Sequence, residues 1–305
     1  MTGKFTRREF LRRAGIVSAA TYGLTLVGDE MLGFLEEAEA AGPTMTIAWN
    51  GSIEARVKKA IDGLGGIGKF VKKGASVAIK PNIAWARAPE HAANTNPEVL
   101  AAVIKLCKQA GAGRITVVDH TCDDWQIAFE LSGAQKVCDD NKVRLVSGHN
   151  PSGYKPVSIP KGVILKSDLC MREIIDADCF INIPIPKVHG ATGMTASMKN
   201  LMGVMWDRQY WHQKGLDQCI ADYASAVKAD LIILDAIRIM LTGGPKGPGK
   251  TQDVGHIVAS RDPVAIDAYA CQLLDKDPNK VGHIVAASKL GLGQIDLKKV
   301  EQKKV

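Results

Sequence analysis

Residues 75–82, ASVAIKPN, show the pattern that decides the fold of this 305-residue chain. Apolar and β-branched residues form a short run between Gly74 and Pro81, which indicates a buried strand. Similar runs lie at 44–49, 75–80, 114–119, 143–147, 178–185, 230–240 and 256–260. Helical patterns separate them, notably 97–110, 124–141, 216–227 and 263–274. This alternation predicts an α/β fold with a mainly parallel sheet and helices on both faces.

Polar side chains follow several of these predicted strands, where each strand ends. In a parallel sheet, ligands bind beyond the carboxyl ends of the strands, so we expect these residues to line one ligand cleft. The predicted catalytic residues are His189, Lys187 and Lys80. The predicted substrate-binding residues are Asn82, Thr195, Lys199, Asn200, Gly243 and Gly244. Asp119 and Asp267 are predicted to lie behind these residues, and Asp267 is predicted to orient one of the lysines.

The residue types in this cleft favour an anionic ligand. Ammonium and carboxamide N–H groups donate hydrogen bonds to carboxylates and phosphates. Lysines close together lower one another's pKa, so one of them could serve as a base or form a Schiff base. His189 is the natural candidate for proton transfer near neutral pH. Each residue alone also has an ordinary structural explanation, such as a surface lysine or a capping aspartate, so the prediction depends on their convergence.

Metal binding has weaker support in the sequence. His120, Cys122 and Asp123 are candidate ligands, but neighbouring residues of an extended chain point in opposite directions. The seven cysteines are scattered, with no C-x-x-C pair, so the chain has no intrinsic iron-sulfur motif. The identity of any cofactor stays open.

Two glycine-rich segments match nucleotide-binding patterns without the required context. Residues 244–251 fit the phosphate-loop pattern, but a strand rather than a helix is predicted after Thr251, and Pro245 and Pro248 remove two N–H donors. Residues 63–68 fit G-x-G-x-x-G but follow a helix. We interpret the first as a mobile loop at the cleft and the second as a helix end.

The N-terminus is typical of an export signal. Arg7 and Arg8 lie in TRREFLR, which resembles the twin-arginine consensus, and residues 16–28 form an uncharged, mostly apolar run. The sequence A-E-A at 38–40 has the form of a cleavage site. We predict a signal peptide over residues 1–40, export to the periplasm, and a single α/β domain over residues 41–305, built as one body or as two tightly packed lobes. Proteins that use the twin-arginine pathway cross the membrane in the folded state, which allows a cofactor to be loaded before export.

Five blocks in order resemble the domain-of-unknown-function family 362. They are KKGASVAIKPNIAW, NTNPEVLAAVIKLCKQAGAGRITVVD, INIPIPKVHGATGMTASMKNLMG, GGPKGPG and VASRDPVAIDAYAC. The resemblance implies functional positions at Lys80, Asn82, Asp119, Lys187, His189, Thr195, Lys199, Asn200, Gly243, Gly244, Pro245, Asp262 and Asp267. It also implies an association with iron-sulfur proteins. Because the cysteines of this chain are scattered, we expect that association to involve a redox partner protein.

Charge further limits the partners. Residues 41–305 carry 34 basic and 26 acidic side chains, a net charge of +8. The lysines are dispersed and aromatic residues are few, so we expect a small anionic molecule rather than nucleic acid, and membrane contact only during export. We expect an enzyme or a redox-associated catalytic subunit. The alternatives are an accessory protein that carries a cofactor or metal for electron transfer, and a periplasmic solute-binding protein. The sequence leaves open a homo-oligomer.

Overall fold

A computed structural model describes residues 44–305 of the chain. The predicted signal peptide, residues 1–40, lies outside the described residues. Pro43–Val305 form one compact unit. In the described part of the chain, no helix is both long enough and apolar enough to cross a membrane.

The described residues form twelve strands, seven at the predicted runs and five that were not predicted. They are β1 (Thr44–Ala48), β2 (Ser76–Pro81), β3 (Arg114–Asp119), β4 (Arg144–Ser147), β5 (Tyr154–Ser158), β6 (Ser167–Met171), β7 (Cys179–Ile183), β8 (Lys187–His189), β9 (Gly193–Thr195), β10 (Leu231–Met240), β11 (Thr251–Ser260) and β12 (Glu301–Lys304). The predicted strand over 178–185 ends at Ile183, because Pro184 and Pro186 cannot donate ladder hydrogen bonds.

The helices lie between the strands. They are α1 (Ile53–Asp62), α2 (Pro97–Gln109), α3 (Trp125–Leu131), α4 (Ala134–Asp140), α5 (Arg172–Ile175), α6 (Ser197–Asn200), α7 (Arg208–Lys214), α8 (Leu216–Ala226), α9 (Pro263–Leu273) and α10 (Gly282–Lys289). The prediction of a single helix over 124–141 was wrong, because the helical conformation is interrupted between α3 and α4. Gly133 adopts a left-handed conformation there with φ of 79°, which a residue with a Cβ rarely adopts.

The main sheet has the strand order β12-β1-β11-β10-β7-β2-β3-β4, with β8 paired to β10 and β9 paired to β8. The strands β10, β7, β2, β3 and β4 run parallel, as does the β1–β12 pair. The mainly parallel α/β fold is therefore confirmed. Two strands of this sheet are reversed. β11 returns from β10 as a hairpin and pairs antiparallel with both β10 and β1, and β9 pairs antiparallel with β8.

Apolar side chains cover both faces of the sheet. Along β10, Ile232 and Leu234 belong to one buried cluster, whereas Leu231 and Ile233 belong to another. Alternate residues of a strand point to opposite faces. The first cluster includes residues of α8, α9 and α10, and the second includes residues of α1 and α2. The predicted helices on both faces are therefore confirmed.

Candidate functional site

A cavity of about 330 Å³ opens at the carboxyl ends of β2, β3 and β8. Parallel pairing aligns the ends of β2 and β3, since Ile79 of β2 lies opposite Val117 of β3, and β8 pairs parallel with β10, where Lys187 lies opposite Met240. The residues that line the cavity are Lys80, Asn82, Ala84, Trp85, Asp119, His120, Cys122, Lys187, His189, Thr195, Lys199, Asn200, Met202, Gly203, Arg208, His212 and Pro245. The predicted lysines, asparagines and histidine thus share one cavity.

A buried ion pair lies at one side of this cavity. The Nζ of Lys80 is 3.0 Å from Oδ2 of Asp119, and each residue is 1% exposed. The Asp119 carboxylate also accepts a hydrogen bond of 2.6 Å from the backbone N–H of Ile83. Burial lowers the pKa of Lys80, and the neighbouring Asp119 acts in the opposite direction. Asp119 therefore holds both the Lys80 ammonium and the chain that leaves β2.

Carboxamides connect Lys80 to Lys187. The Asn200 Oδ1 accepts hydrogen bonds from Lys80 Nζ at 3.2 Å and from Asn82 Nδ2 at 2.9 Å. The Asn200 Nδ2 donates to Asn182 Oδ1 at 2.7 Å. The Asn82 Oδ1 in turn accepts from Lys187 Nζ at 3.0 Å. The amides of Asn82 and Asn200 have fixed orientations because each carries both a donor and an acceptor contact.

Lys187 is an uncommon lysine because its ammonium group is almost completely buried. It is 1% exposed, and its Nζ donates to Asn82 Oδ1 and to the carbonyl oxygen of Ala93. Burial lowers the pKa of Lys187 to about 7, and the nearby charges of Lys199 and Lys80 act in the same direction. A large fraction of Lys187 is therefore the neutral amine at neutral pH. Since both hydrogens of that amine have acceptors, its lone pair is left for another group.

His189 lies two residues after Lys187 on β8, so both side chains emerge on the same face of the strand. The His189 Nδ1 accepts a hydrogen bond of 3.1 Å from the backbone N–H of Ala191, so the ring hydrogen of the neutral form is on Nε2. Burial lowers the pKa of His189 to about 3, with further lowering by Lys199 and Lys187. At neutral pH the uncharged imidazole of His189 can donate a hydrogen bond from Nε2. The sequence had instead predicted that His189 transfers a proton.

Helix α6 carries Lys199 and Asn200 and is held from behind by Asp267. The Asp267 carboxylate accepts hydrogen bonds from the backbone N–H groups of Ser197 at 2.5 Å and Met198 at 3.1 Å. Asp267 is fully buried, which raises its pKa to about 6. Asp267 therefore positions Lys199 indirectly, through the backbone of α6.

Lys199 projects from α6 toward the cavity and is half-buried. Its Nζ lies 3.3 Å from the Sδ of Met202. Burial lowers the pKa of Lys199 to about 8, and Arg208 contributes to the lowering. Thr195, which pairs with Lys187 across the β8–β9 ladder, completes this wall.

Arg208 and Asn182 are site residues that the sequence analysis missed. The Nε of Arg208 donates to the carbonyl oxygen of Met202 at 3.0 Å, and its Nη1 lies 3.1 Å from the carbonyl oxygen of Thr121 and 3.2 Å from the Sγ of Cys122. These contacts fix the guanidinium plane and do not use Nη2. Nothing in the local sequence marks Arg208, whereas an asparagine inside the apolar run CFINI could have drawn attention to Asn182.

The three candidate metal ligands have separate partners. The Nδ1 of His120 lies 3.1 Å from the carbonyl oxygen of Met205, and Asp123 forms an ion pair of 2.8 Å with Lys246. Cys122 is exposed and lies against Arg208. Within residues 44–305, no group of three His, Cys, Asp or Glu side chains is arranged to hold a metal ion.

The glycine-rich loop after β10 covers one side of the cavity without forming a phosphate loop. A strand rather than a helix follows the loop, as expected, but β11 begins at Thr251, five residues before the predicted strand over 256–260. Pro245 lines the cavity, while Gly243 and Gly244 do not, and a Cβ on Gly244 would collide with the backbone of Val188. Lys246 contacts both Asp123 and the ring of Trp85, with its Nζ 5.6 Å from the ring centroid.

The model of the family described as domain of unknown function, DUF362, matches residues 77–272. The chain belongs to the DUF362 family. A thylakoid-associated protein of Synechocystis sp. is 31% identical over 265 residues, which cover 79% of this chain and 76% of that protein. All the residues that line the cavity, from Lys80 to Pro245, lie within the matched segment, so the cavity is part of the family domain.

Two solved structures show a limited similarity to this DUF362 protein. A Thermotoga maritima protein has a TM-score of 0.44 and 12% identity, covering 73% of this chain and 59% of that one. The lactate racemase apoprotein of Thermoanaerobacterium thermosaccharolyticum has a TM-score of 0.45 and 13% identity, covering 75% and 56%. The chain thus spans less than two thirds of either structure.

Proposed function

We propose that this DUF362 protein is an enzyme that binds a small anionic molecule in the cavity and uses Lys187 as its reactive amine. The observation that carries the proposal is the charge of the cavity. Three lysines and Arg208 line it, and among the described lining residues Asp119 alone carries a carboxylate. Because Asp119 is paired with Lys80, the remaining cationic groups have no carboxylate partner in the lining. Such a cavity attracts and holds anions.

Each lining group then has a role that follows from its contacts. Lys199 and Arg208 bind the negative group of the substrate, since both offer N–H donors and positive charge. Asn82 and Asn200 hold Lys80 and Lys187 in place. Lys187 accepts a proton or attacks an electrophilic carbon, and His189 donates a hydrogen bond from Nε2. The family resemblance also leads us to expect a redox partner protein.

Cys122 provides a direct test of the anion-attracting cavity. It is the exposed cysteine, whereas the other six cysteines are buried. Cys122 can be alkylated with anionic iodoacetate and with neutral iodoacetamide. We expect the anionic reagent to be favoured more strongly at Cys122 than at the thiol of free glutathione. The ratio of the two rate constants should be about tenfold higher than for glutathione and should fall with added salt. Mass spectrometry of the alkylated peptide measures both rates.

Variants separate the charge of the cavity from the net charge of the protein. Arg208→Gln combined with Lys199→Met should bring the ratio to within about twofold of the glutathione value. Lys136→Met, which removes an exposed lysine that is 79% accessible, should leave the ratio unchanged. A wild-type ratio equal to that of glutathione would mean that the cavity does not attract anions.

We also propose that the protein is exported through the twin-arginine pathway to the periplasm. The support is the sequence TRREFLR followed by an apolar run of signal length. In a bacterial host with this pathway, the full chain should be recovered from the periplasm. Arg7→Lys with Arg8→Lys should retain it in the cytoplasm, and equal export of the variant would contradict the proposal.

A further inference from the structure

We infer that the substrate is a small carboxylate that also carries an aldehyde or ketone group, and that Lys187 forms an imine with this carbonyl. The inference rests on the proposed function and names its substrate class and its covalent step. It is carried by the position of Lys187 in the cavity wall, the acceptors that hold its Nζ, and the cationic groups placed beyond it.

The amine of Lys187 is prepared for attack by its surroundings. Asn82 Oδ1 and the carbonyl oxygen of Ala93 accept hydrogen bonds from its Nζ, which fixes the nitrogen and directs its lone pair away from these two oxygens. Lys80 is less suited, because its ammonium is stabilised by the Asp119 carboxylate at 3.0 Å. The carbonyl carbon is therefore expected to react with Lys187 rather than with Lys80.

The carboxylate of the substrate has its own binding groups in the same cavity. Arg208 is fixed through Nε and Nη1, and its Nη2 takes no part in those contacts. Lys199 lines the same cavity as Arg208 and Lys187 and adds a second cationic group to it. The cavity has a volume of about 330 Å³, which is in the range of small-molecule sites, and both Arg208 and Lys187 line it.

The covalent step balances without any other reactant. The Lys187 nitrogen forms a bond to the carbonyl carbon, and the carbonyl oxygen takes up a proton to give a carbinolamine. The C–O bond then breaks, and the two hydrogens lost from the amine leave with that oxygen as water. The products are an imine and one water molecule. The proton that the oxygen takes up comes from the Lys187 nitrogen, and His189 Nε2–H, on the same face of β8 as Lys187, donates a hydrogen bond to the carbonyl oxygen during addition.

Reductive trapping tests the inference on the full chain. Incubation with pyruvate and sodium cyanoborohydride should convert Lys187 to a stable secondary amine, located by peptide mapping. Acetone, which lacks the carboxylate, should label Lys187 at least about tenfold more slowly, since tenfold in rate corresponds to about 1.4 kcal/mol, which is less than a hydrogen bond to a charged group contributes. Lys187→Met should abolish this adduct, whereas Lys105→Met, at an exposed lysine, should leave its rate unchanged. Labelling of exposed lysines at the same rate as Lys187 would overturn the inference.

A second readout separates this inference from the proposed function. Pyruvate without reductant should slow the reaction of Cys122 with iodoacetate, because both anions occupy the cavity. Protection of Cys122 without an adduct on Lys187 would overturn the imine and leave anion binding intact. The absence of both protection and adduct would overturn the proposed function as well.

Discussion

Asp119→Ala is expected to lower the free energy of unfolding by about 3 to 5 kcal/mol, the usual cost of removing one partner of a buried ion pair. The variant leaves the Lys80 ammonium, which is 1% exposed, without a countercharge, and it leaves the Ile83 N–H without its acceptor. Loss of the Lys80 proton should relieve part of this cost, since burial already lowers the pKa of Lys80. Urea denaturation at neutral pH measures the change.

A matched aspartate on the surface provides the control. Asp140 forms an ion pair of 2.8 Å with Lys136, and both side chains are mostly exposed. Asp140→Ala should change the free energy of unfolding by no more than about 0.5 kcal/mol. Lys80→Met combined with Asp119→Ala should cost less than the sum of the two single changes, because the pair is removed together. Equal costs for Asp119→Ala and Asp140→Ala would contradict the buried ion pair.

Gly203→Ala is expected to destabilise the protein by about 3 kcal/mol, at the upper end of the cost of overpacking. A Cβ at position 203 would collide with Asp119 Oδ1 and Lys80 Cε, and it would lie 2.7 Å from Lys80 Nζ. These atoms are buried and held by other contacts, so they cannot move aside cheaply. The substitution should also disturb the Lys80–Asp119 pair and thus weaken protection of Cys122 by anions.

Gly153 is the matched control for this substitution. A Cβ there would meet no atom within 4 Å, and its φ is not in the left-handed region. Gly153→Ala should therefore leave the midpoint of urea denaturation nearly unchanged. A similar midpoint for Gly203→Ala and the wild type would show that the close packing around position 203 is wrong.

The sequence predicted the strand ends and hence most of the cavity, because apolar runs bounded by Gly, Pro or Asp are local signals. Lys80 and Lys187 directly end or follow such runs and were found in this way. The reversal of β11 and the break at Gly133 were not predicted, because each depends on tertiary contacts or on one glycine inside a helical pattern. The functional roles given to the site residues stay predictions.

Arg208 shows why the remaining part of the site escaped prediction. It enters the cavity from the first turn of α7, capped by Asp207, and its position depends on the path of the chain after α6. That path is set by Asp267, about 60 residues further along the chain, through its bonds to Ser197 and Met198. Contacts between distant segments of this kind have no local sequence pattern.

The protonation of Lys187 tests the central claim most directly. In protein labelled with ¹³C at lysine Cε, one resonance absent from the Lys187→Met spectrum should titrate with a midpoint at a pH of about 7. The amine is then mostly neutral above this pH and charged below it, because burial disfavours the ammonium form. A Lys187 resonance that titrates near pH 10, about the value of an exposed lysine, would contradict the reactive amine on which the proposed chemistry depends.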